Sequence, residues 1–161
     1  MKKSLGLENL VKNAMIACIY AVLTLAIAPF SYGGVQMRIS EIIVFLAFYN
    51  RKYIPGLVVG CFISNIPSPI GIMDMIFGTI STIIVCMAMN KLTNRYLASL
   101  VGAIVTGIII GLELYLILDL PFVVNALQVF AGEFIVLIVG AFLFGLLEKN
   151  IRIMEFINKE S

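Results

Sequence analysis

The chain has 161 residues, of which 61% are hydrophobic and only 12% are charged, with a formal net charge of +2 and no histidine. A soluble domain carries about 25% charged residues, so this composition indicates an integral membrane protein, and we expect one transmembrane domain over residues 1–161. The sequence has no phosphate-binding G-x-x-x-x-G-K-[ST] loop, no metal-ligand cluster and no G-x-S-x-G nucleophile motif, which argues against an ATPase, a metal site and an enzyme.

Six apolar runs follow one another along the chain, and about 20 apolar residues in a helix are needed to span a bilayer. The runs cover residues 10–30, 39–50, 53–66, 73–90, 97–118 and 122–147. Turn-forming residues separate them, including Gly33-Gly34 and Pro67-Ser68-Pro69. The sequence therefore predicts an all-α integral membrane protein with six transmembrane helices.

Positive residues are distributed unevenly among the loops between these helices. Ten of the eleven lysines and arginines precede helix 1 or follow helices 2, 4 and 6, and only Arg38 falls on the other side. Because cytoplasmic loops carry an excess of Lys and Arg, we expect both termini to be cytoplasmic in a multi-pass protein of the cell membrane. The same topology accounts for the cations, so nucleic acid is not an expected partner.

Small residues form a stripe on helix 1, at Ala14, Ala17 and Ala21. Small residues let two membrane helices approach closely, so the stripe predicts a helix–helix contact, either within the bundle or with a partner protein. Gly107 and Gly111 form a similar pair on helix 5, and there we expect a contact within the bundle.

Helix 2 is too short to cross a bilayer, since about 11 residues rise only roughly 16 Å. Irregular backbone at membrane depth is tolerated only where protein buries it or where it lines a cavity. We therefore expect the loop over residues 31–38 to fold over a cavity that opens to the outside.

Four carboxylates lie within or at the edges of the apolar runs, and a single cation, Arg38, accompanies them. The acids are Glu41, Asp74, Glu113 and Glu133. A charge at the bilayer centre costs roughly 2.5–3.5 kcal/mol on insertion scales, so the imbalance predicts that positive charge or hydrogen-bond donors arrive with a ligand or an ion. Local alternatives are an Arg38–Glu41 pair, a helix-capping role for Asp74, and acids that are protonated and neutral.

Further polar and aromatic side chains are candidates for contacting the same ligand. The polar ones are Gln36 and Arg38 on the loop, Tyr115 on helix 5, and Asn125 and Gln128 on helix 6. Asn125 and Glu133 differ by about 80° around helix 6, so they can face one cavity. Aromatic rings can stack on a flat ligand, and the candidates are Phe45, Phe48, Tyr49, Phe77 and Tyr115.

The segment Gly34-Val35-Gln36-Met37-Arg38-Ile39-Ser40-Glu41, together with the alanine stripe and the six-helix plan, resembles the substrate-binding S component of energy-coupling factor (ECF) transporters. Within that group the sequence is most similar to the QueT family, which is linked to the uptake of queuosine precursors. The resemblance spans most of the chain, including Pro55-Gly56, Gly60-Cys61, Asn65, Asp74 and Phe77-Gly78-Thr79.

This resemblance implies a membrane subunit that captures queuine or a deazaguanine such as aminomethyl-deazaguanine from outside, with no cofactor of its own. A membrane-embedded T component, docked through the alanine stripe, and two cytoplasmic ATPases that use ATP would then drive import. The expected partners of the guanine edge and the amine are Glu41, Asp74 and Glu133, and the resemblance adds Asn65 and Phe77 to the substrate contacts. The alternatives are an S component for another vitamin-like molecule and a proton- or ion-coupled small-solute carrier, in which mid-membrane acids are common.

Overall fold

The structure is a computed structural model that describes residues 2–28 and 37–158, with side chains described for residues 6–28, 37–155 and 157. Within these ranges every regular element is a helix. Four helical segments are long and apolar enough to cross a membrane: Gly6–Ala26, Ile72–Met89, Arg95–Leu118 and Phe122–Leu147. The prediction of an all-α membrane protein is confirmed, whereas the count of six membrane spans stays a prediction.

The helices of the described residues follow the predicted apolar runs in order, with one more helix after them. They are α1 (Lys2–Ala26), α2 (Ile39–Tyr49), α3 (Ile54–Ser64), α4 (Ile72–Met89), α5 (Arg95–Leu118), α6 (Phe122–Leu147) and α7 (Ile151–Asn158). Helix α2 begins as a 3-10 helix over Ile39–Val44 and continues as an α-helix over Phe45–Tyr49. A 3-10 turn, Arg51–Tyr53, connects it to α3.

The turns use local chemistry to begin and end the helices. At the start of α5, the Asn94 side chain accepts hydrogen bonds from the backbone N–H groups of Tyr96 (2.9 Å) and Leu97 (3.3 Å), two amides that have no intrahelical partner. At the other end of α5, Asp119 adopts the left-handed conformation with φ 52°. Pro121 follows two residues later and cannot continue the helix.

Helix α2 lies inside the bundle that the longer helices form. In space α3 packs between α1 and α4, α4 packs on α5, and α5 packs on α6. The 3-10 half of α2 contacts both α1 and α6, and its α-helical half contacts α4. Val44, Phe45 and Ala47 are fully buried, so the short helix fills the centre of the bundle.

Small residues permit the closest helix approaches. A Cβ atom added to Gly60 of α3 would lie 3.0 Å from the Cα of Ala17 in α1, and one added to Gly111 of α5 would lie 2.8 Å from the Cα of Ala126 in α6. Both distances are shorter than an ordinary carbon contact, so only glycine fits. The expected contact of the Gly107–Gly111 pair within the bundle is confirmed.

The alanine stripe of α1 is divided by the same packing. Ala17 and Ala21 are buried, with 5% and 7% of their surface exposed, because α3 covers them. Ala14 is exposed. The structure therefore places Ala17 and Ala21 in a contact inside the chain, and of the residues predicted to dock a partner only Ala14 is accessible on its surface.

Most of the predicted ligand-stacking aromatics belong instead to an aromatic core toward one end of the bundle. The ring of Phe144 lies 5.8 Å from that of Phe45 and 5.7 Å from that of Tyr49, and Phe48 packs on both of these neighbours. These rings pack on one another in tilted, edge-on and stacked pairs, and none of them lines the small cavity beside Glu41 and Glu133. The expectation of ligand stacking is wrong for Phe45, Phe48 and Tyr49.

Seven cations lie at this same end, in its loops and in the adjoining helices, and we call it the basic end (Lys12, Arg51, Lys52, Lys91, Arg95, Lys149 and Arg152). Hydrogen bonds hold its loops together. Asn13 bridges α1 to the backbone of Lys52 (3.0 Å) and Gly56 (2.7 Å), and the Tyr53 hydroxyl donates to the carbonyl of Ile157 in α7 (3.1 Å). This grouping agrees with the uneven charge distribution in the sequence, and a cytoplasmic location for the basic end stays a prediction.

One ion pair of the basic end makes stability depend on pH. Glu148 accepts hydrogen bonds from the Tyr49 hydroxyl (2.7 Å) and from the Arg95 guanidinium, and these donors lower the pKa of Glu148 below its ordinary value. Because the folded pKa is depressed, the contact stabilises the folded protein above the ordinary glutamate pKa of about 4.3. That stabilisation is lost as pH falls through the folded value.

We expect Glu148→Gln to lower the melting temperature near neutral pH by a small amount, equivalent to less than about 1 kcal/mol, because the pair is partly exposed. The difference from the parent chain should begin to shrink as pH falls below the ordinary glutamate pKa of about 4.3, and it should disappear below the lower pKa of the folded state. Thermal unfolding in detergent across a pH series measures both effects, with Glu155→Gln, an exposed acid of α7, as the matched control. A deficit that stays constant down to low pH would contradict the assignment.

Candidate functional site

Four carboxylates and one guanidinium are buried together where α2, α4, α5 and α6 meet. The exposed fractions are 7% for Glu41, 1% for Asp74, 0% for Glu113, 2% for Glu133 and 6% for Arg38. Arg38 interacts electrostatically with all four acids. We name these five residues the acid cluster; the structure brings together the charged residues that the sequence singled out.

The N-terminal ends of two helices position three of the five residues of the cluster. Arg38 directly precedes α2, and its carbonyl accepts the Glu41 N–H (3.0 Å), so both side chains enter the bundle with the first turn of that helix. Asp74 lies in the first turn of α4, where the helix dipole favours a carboxylate. The Arg38 guanidinium donates to Asp74 Oδ1 at 3.4 Å.

Polar side chains from α1 and α2 complete this region, and the sequence reasoning did not assign Tyr20 or Thr24 to it. The Tyr20 hydroxyl of α1 donates to Glu41, and the Thr24 and Ser40 hydroxyls share a hydrogen bond of 2.7 Å. Tyr20 and Thr24 lie on the buried face of α1, three residues after Ala17 and Ala21 respectively. That helical spacing was the available signal, since a polar residue on the small-residue face of a membrane helix must point into protein.

Several buried acceptor atoms have no hydrogen-bond partner among the described residues. They are both carboxylate oxygens of Glu113, Oε1 of Glu133, Oδ2 of Asp74 and Oδ1 of Asn65. A buried polar group without a partner costs about 1–3 kcal/mol, and more when it is charged. The unpartnered atoms of the acid cluster are all acceptors, so the region is complementary to a ligand rich in N–H donors.

The cavity at the acid cluster is small. Its volume is about 10 Å³, and its polar lining consists of Arg38, Glu41, Ser81, Thr82, Thr106 and Glu133. This is space for about one water molecule, whereas small-molecule sites usually occupy about 300–1,000 Å³. A ligand can therefore enter only if the walls separate. Gln36 and most of the loop predicted to cover the cavity lie outside the described residues.

Two predicted site residues lie away from the cluster. Tyr115 is 50% exposed and Gln128 is also exposed. Tyr115 is two positions after Glu113, which turns it about 200° around α5, and Gln128 is about 140° from Glu133 around α6. These angles direct both side chains outward, so their assignment to the ligand site is corrected.

The other three predicted contacts are buried or partly buried, with different partners. Asn65 is fully buried and its amide donates to Cys61 Sγ at 3.5 Å. Asn125 is buried, but its amide donates to the carbonyl of Pro121 in its own helix (2.8 Å). Phe77 packs against a small apolar cluster formed by Ile110, Leu114 and Val129. Among the described residues, no group of three or more His, Cys, Asp or Glu side chains is placed to hold a metal ion.

Comparisons with known proteins agree along nearly the whole chain. The model of the QueT transporter family matches residues 10–149. The chain is 34% identical over 167 aligned positions to the queuosine precursor transporter QueT of Lactococcus lactis subsp. cremoris (strain MG1363), covering 94% of this chain and 98% of that protein. No solved structure matches the chain.

The Tyr20–Glu41 contact leads to a stability prediction. Tyr20→Phe removes the donor and leaves Glu41 with an unpaired buried oxygen, so we expect a loss of about 1–3 kcal/mol of unfolding free energy. Thermal unfolding in detergent measures the loss, and Tyr115→Phe, which removes an exposed hydroxyl, should leave stability unchanged. Equal stability of the two variants would show that the hydroxyl of Tyr20 contributes nothing through Glu41.

Proposed function

Because the chain belongs to the QueT transporter family, we propose that it is the substrate-binding membrane subunit of an importer for a queuosine precursor. The chain is a multi-pass membrane protein of a transporter family and is not an enzyme. The similar protein of Lactococcus lactis is named for queuosine precursor transport, and the similarity covers almost the full length of both chains. That coverage supports carrying the substrate class over to this chain.

The unpartnered carboxylate oxygens are the observation that carries the proposal. A deazaguanine presents several N–H donors on its Watson–Crick edge, and a carboxylate can accept two such donors side by side. Hydrogen bonds to ionised acceptors are stronger than those between neutral groups. Glu41 and Glu133 line the small cavity and are the proposed acceptors for this edge. Asp74 and the buried Asn65 are proposed as further contacts.

Substrate binding requires the acid cluster to expand, since the cavity of about 10 Å³ is far smaller than a purine-sized base. Arg38 lines this cavity and is paired with Asp74, so we propose that the two residues separate as substrate enters. The loop over residues 31–38 is proposed to cover the bound substrate, with Gln36 as a contact from it. Phe77 is the proposed aromatic contact, since it is the ring next to Gly78 of the cavity wall.

Energy for import is proposed to come from partner proteins, because the chain has no nucleotide-binding motif of its own. In this proposal a membrane-embedded T component docks on the chain, and two cytoplasmic ATPases drive the cycle. The exposed face of α1 around Ala14 is the proposed docking surface. Six membrane spans in the cell membrane with cytoplasmic termini complete the proposed topology, which places the basic end on the side of the ATPases.

A proton- or ion-coupled carrier is the second candidate function. Glu113 and Glu133 lie in the interior of long apolar helices with unpartnered oxygens, and such acids are common on the ion pathways of carriers. An S component for another vitamin-like molecule is the third candidate. The two tests below separate these candidates.

A ligand panel tests the substrate class. The purified chain in detergent should unfold at a higher temperature with aminomethyl-deazaguanine or queuine, and at an unchanged temperature with thiamine, riboflavin or folate, because a ligand that binds only the folded state stabilises it. Glu133→Gln should weaken binding about tenfold or more by removing an ionised acceptor, and Glu155→Gln serves as the matched control. Stabilisation by none of the deazaguanines would refute the proposed substrate.

Reconstitution tests the energy source. In liposomes that contain only this chain, we expect binding of the substrate but no accumulation, and accumulation should require the T component, the ATPases and ATP. Uptake of radiolabelled substrate measures this, with an imposed proton gradient as a parallel condition. Accumulation by the chain alone under that gradient would favour the carrier and would count against the proposed partners.

A further inference from the structure

Glu113 has the largest unused capacity to accept hydrogen bonds in the acid cluster. None of its side chain is exposed, and neither of its oxygens has a partner within the part of the chain that the structure describes. Glu41 is bonded by Tyr20, and Asp74 is bonded by Arg38. For Glu133 only one oxygen is both buried and unpartnered. Of the four acids, Glu113 is therefore the one that receives the fewest hydrogen bonds from the described residues.

The position of Glu113 gives no local reason for this burial. It lies near the C-terminal end of α5, which runs from Arg95 to Leu118, so the favourable dipole of a helix N-terminus does not act on it. Its neighbours on the helix, Ile110 and Leu114, are buried in an apolar cluster with Val129. A carboxylate in such surroundings calls for a donor or a cation from elsewhere.

The acid cluster divides into two acceptor pairs. Glu133 interacts electrostatically with Glu41, and both line the small cavity. Glu113 interacts with Asp74, and neither of these two residues lines that cavity. Arg38 interacts with both pairs and bonds directly to Asp74. One ligand that satisfies both pairs must carry donors at two separate places.

We propose that Glu113 determines specificity for a positively charged arm of the substrate, while the Glu41–Glu133 pair accepts the donors of its base. This deepens the proposed function and rests on it. A neutral base can satisfy the Glu41–Glu133 pair alone, and it leaves four acids opposed by one guanidinium. An ammonium group brings three donors and one positive charge to Glu113, and such ionised pairs are the strong ones.

The proposal is tested with two ligands that differ in charge but hardly in size. They are 7-aminomethyl-7-deazaguanine, which is cationic, and 7-hydroxymethyl-7-deazaguanine, which is neutral. Calorimetry on the purified parent chain should show about tenfold or more tighter binding of the amine. Glu113→Gln, which keeps the shape and removes the charge, should abolish this preference and change the affinity for the hydroxymethyl ligand by less than about threefold.

Two further variants control the experiment. Asp119→Asn removes an exposed carboxylate at the end of the same helix and should leave the preference intact, since Asn also tolerates the left-handed conformation there. If Glu113→Gln is not recovered folded, Glu113→Asp takes its place. The aspartate keeps the charge but moves it back by the length of one methylene. This variant should reduce the affinity for the aminomethyl ligand more than the affinity for the hydroxymethyl ligand.

The outcomes separate this inference from the proposed function. Binding of both deazaguanines with no preference for the amine in the parent chain would overturn the role of Glu113 alone. The role of Glu113 would also be overturned by a Glu113 variant that keeps the full preference for the amine, or by one that reduces the affinities for both ligands equally. Failure of the parent chain to bind either ligand would overturn the proposed function, and the inference with it.

Discussion

Burying four carboxylates around one guanidinium in an apolar bundle is the constraint on which the rest of this structure depends. Water is absent from a bilayer core. Each acid must therefore be paired within the protein, be protonated and neutral, or receive a hydrogen-bond donor from a ligand. Within the described residues, Tyr20 donates to Glu41 and Arg38 donates to Asp74. Helix α2 is short and central, and its N-terminal end brings Arg38 and Glu41 into the bundle.

The two halves of the bundle differ in how completely their polar and aromatic groups are satisfied by contacts within the protein. Toward the basic end, aromatic stacking around Phe144 and the capped turns provide contacts that are complete without a ligand. Toward the acid cluster, several buried acceptors have no partner among the described residues, a local loss of stability of the kind that proteins carry at functional sites. A ligand that supplies the missing donors relieves that loss, which links binding to folding stability.

Sequence patterns predicted the elements better than the directions of side chains. The apolar runs identified the helices, and the charge imbalance identified the acid cluster, because both depend only on which residues are present. The assignments of Tyr115, Gln128 and Ala17 depended on the angle of each residue around its helix. Sequence alone does not say which face of a helix a neighbour covers. In the structure Gly60 packs on Ala17, whereas half of the surface of Tyr115 stays exposed. The bond from Tyr20 to Glu41 joins residues 21 positions apart, which no local pattern contains.

Arg38 makes the two acceptor pairs of the acid cluster interdependent. Its guanidinium is a planar set of five donors that bonds Asp74 and also acts on Glu41, Glu113 and Glu133. In a low dielectric, removing one acid therefore changes the field at the other three, and substitutions in the cluster should not be additive. A single substitution measures the altered network as a whole, and only a double-substitution cycle isolates one pair. A ligand is subject to the same coupling, because a cation bound at one pair offsets the negative charge of that pair and lowers the repulsion that it exerts on the acids of the other pair.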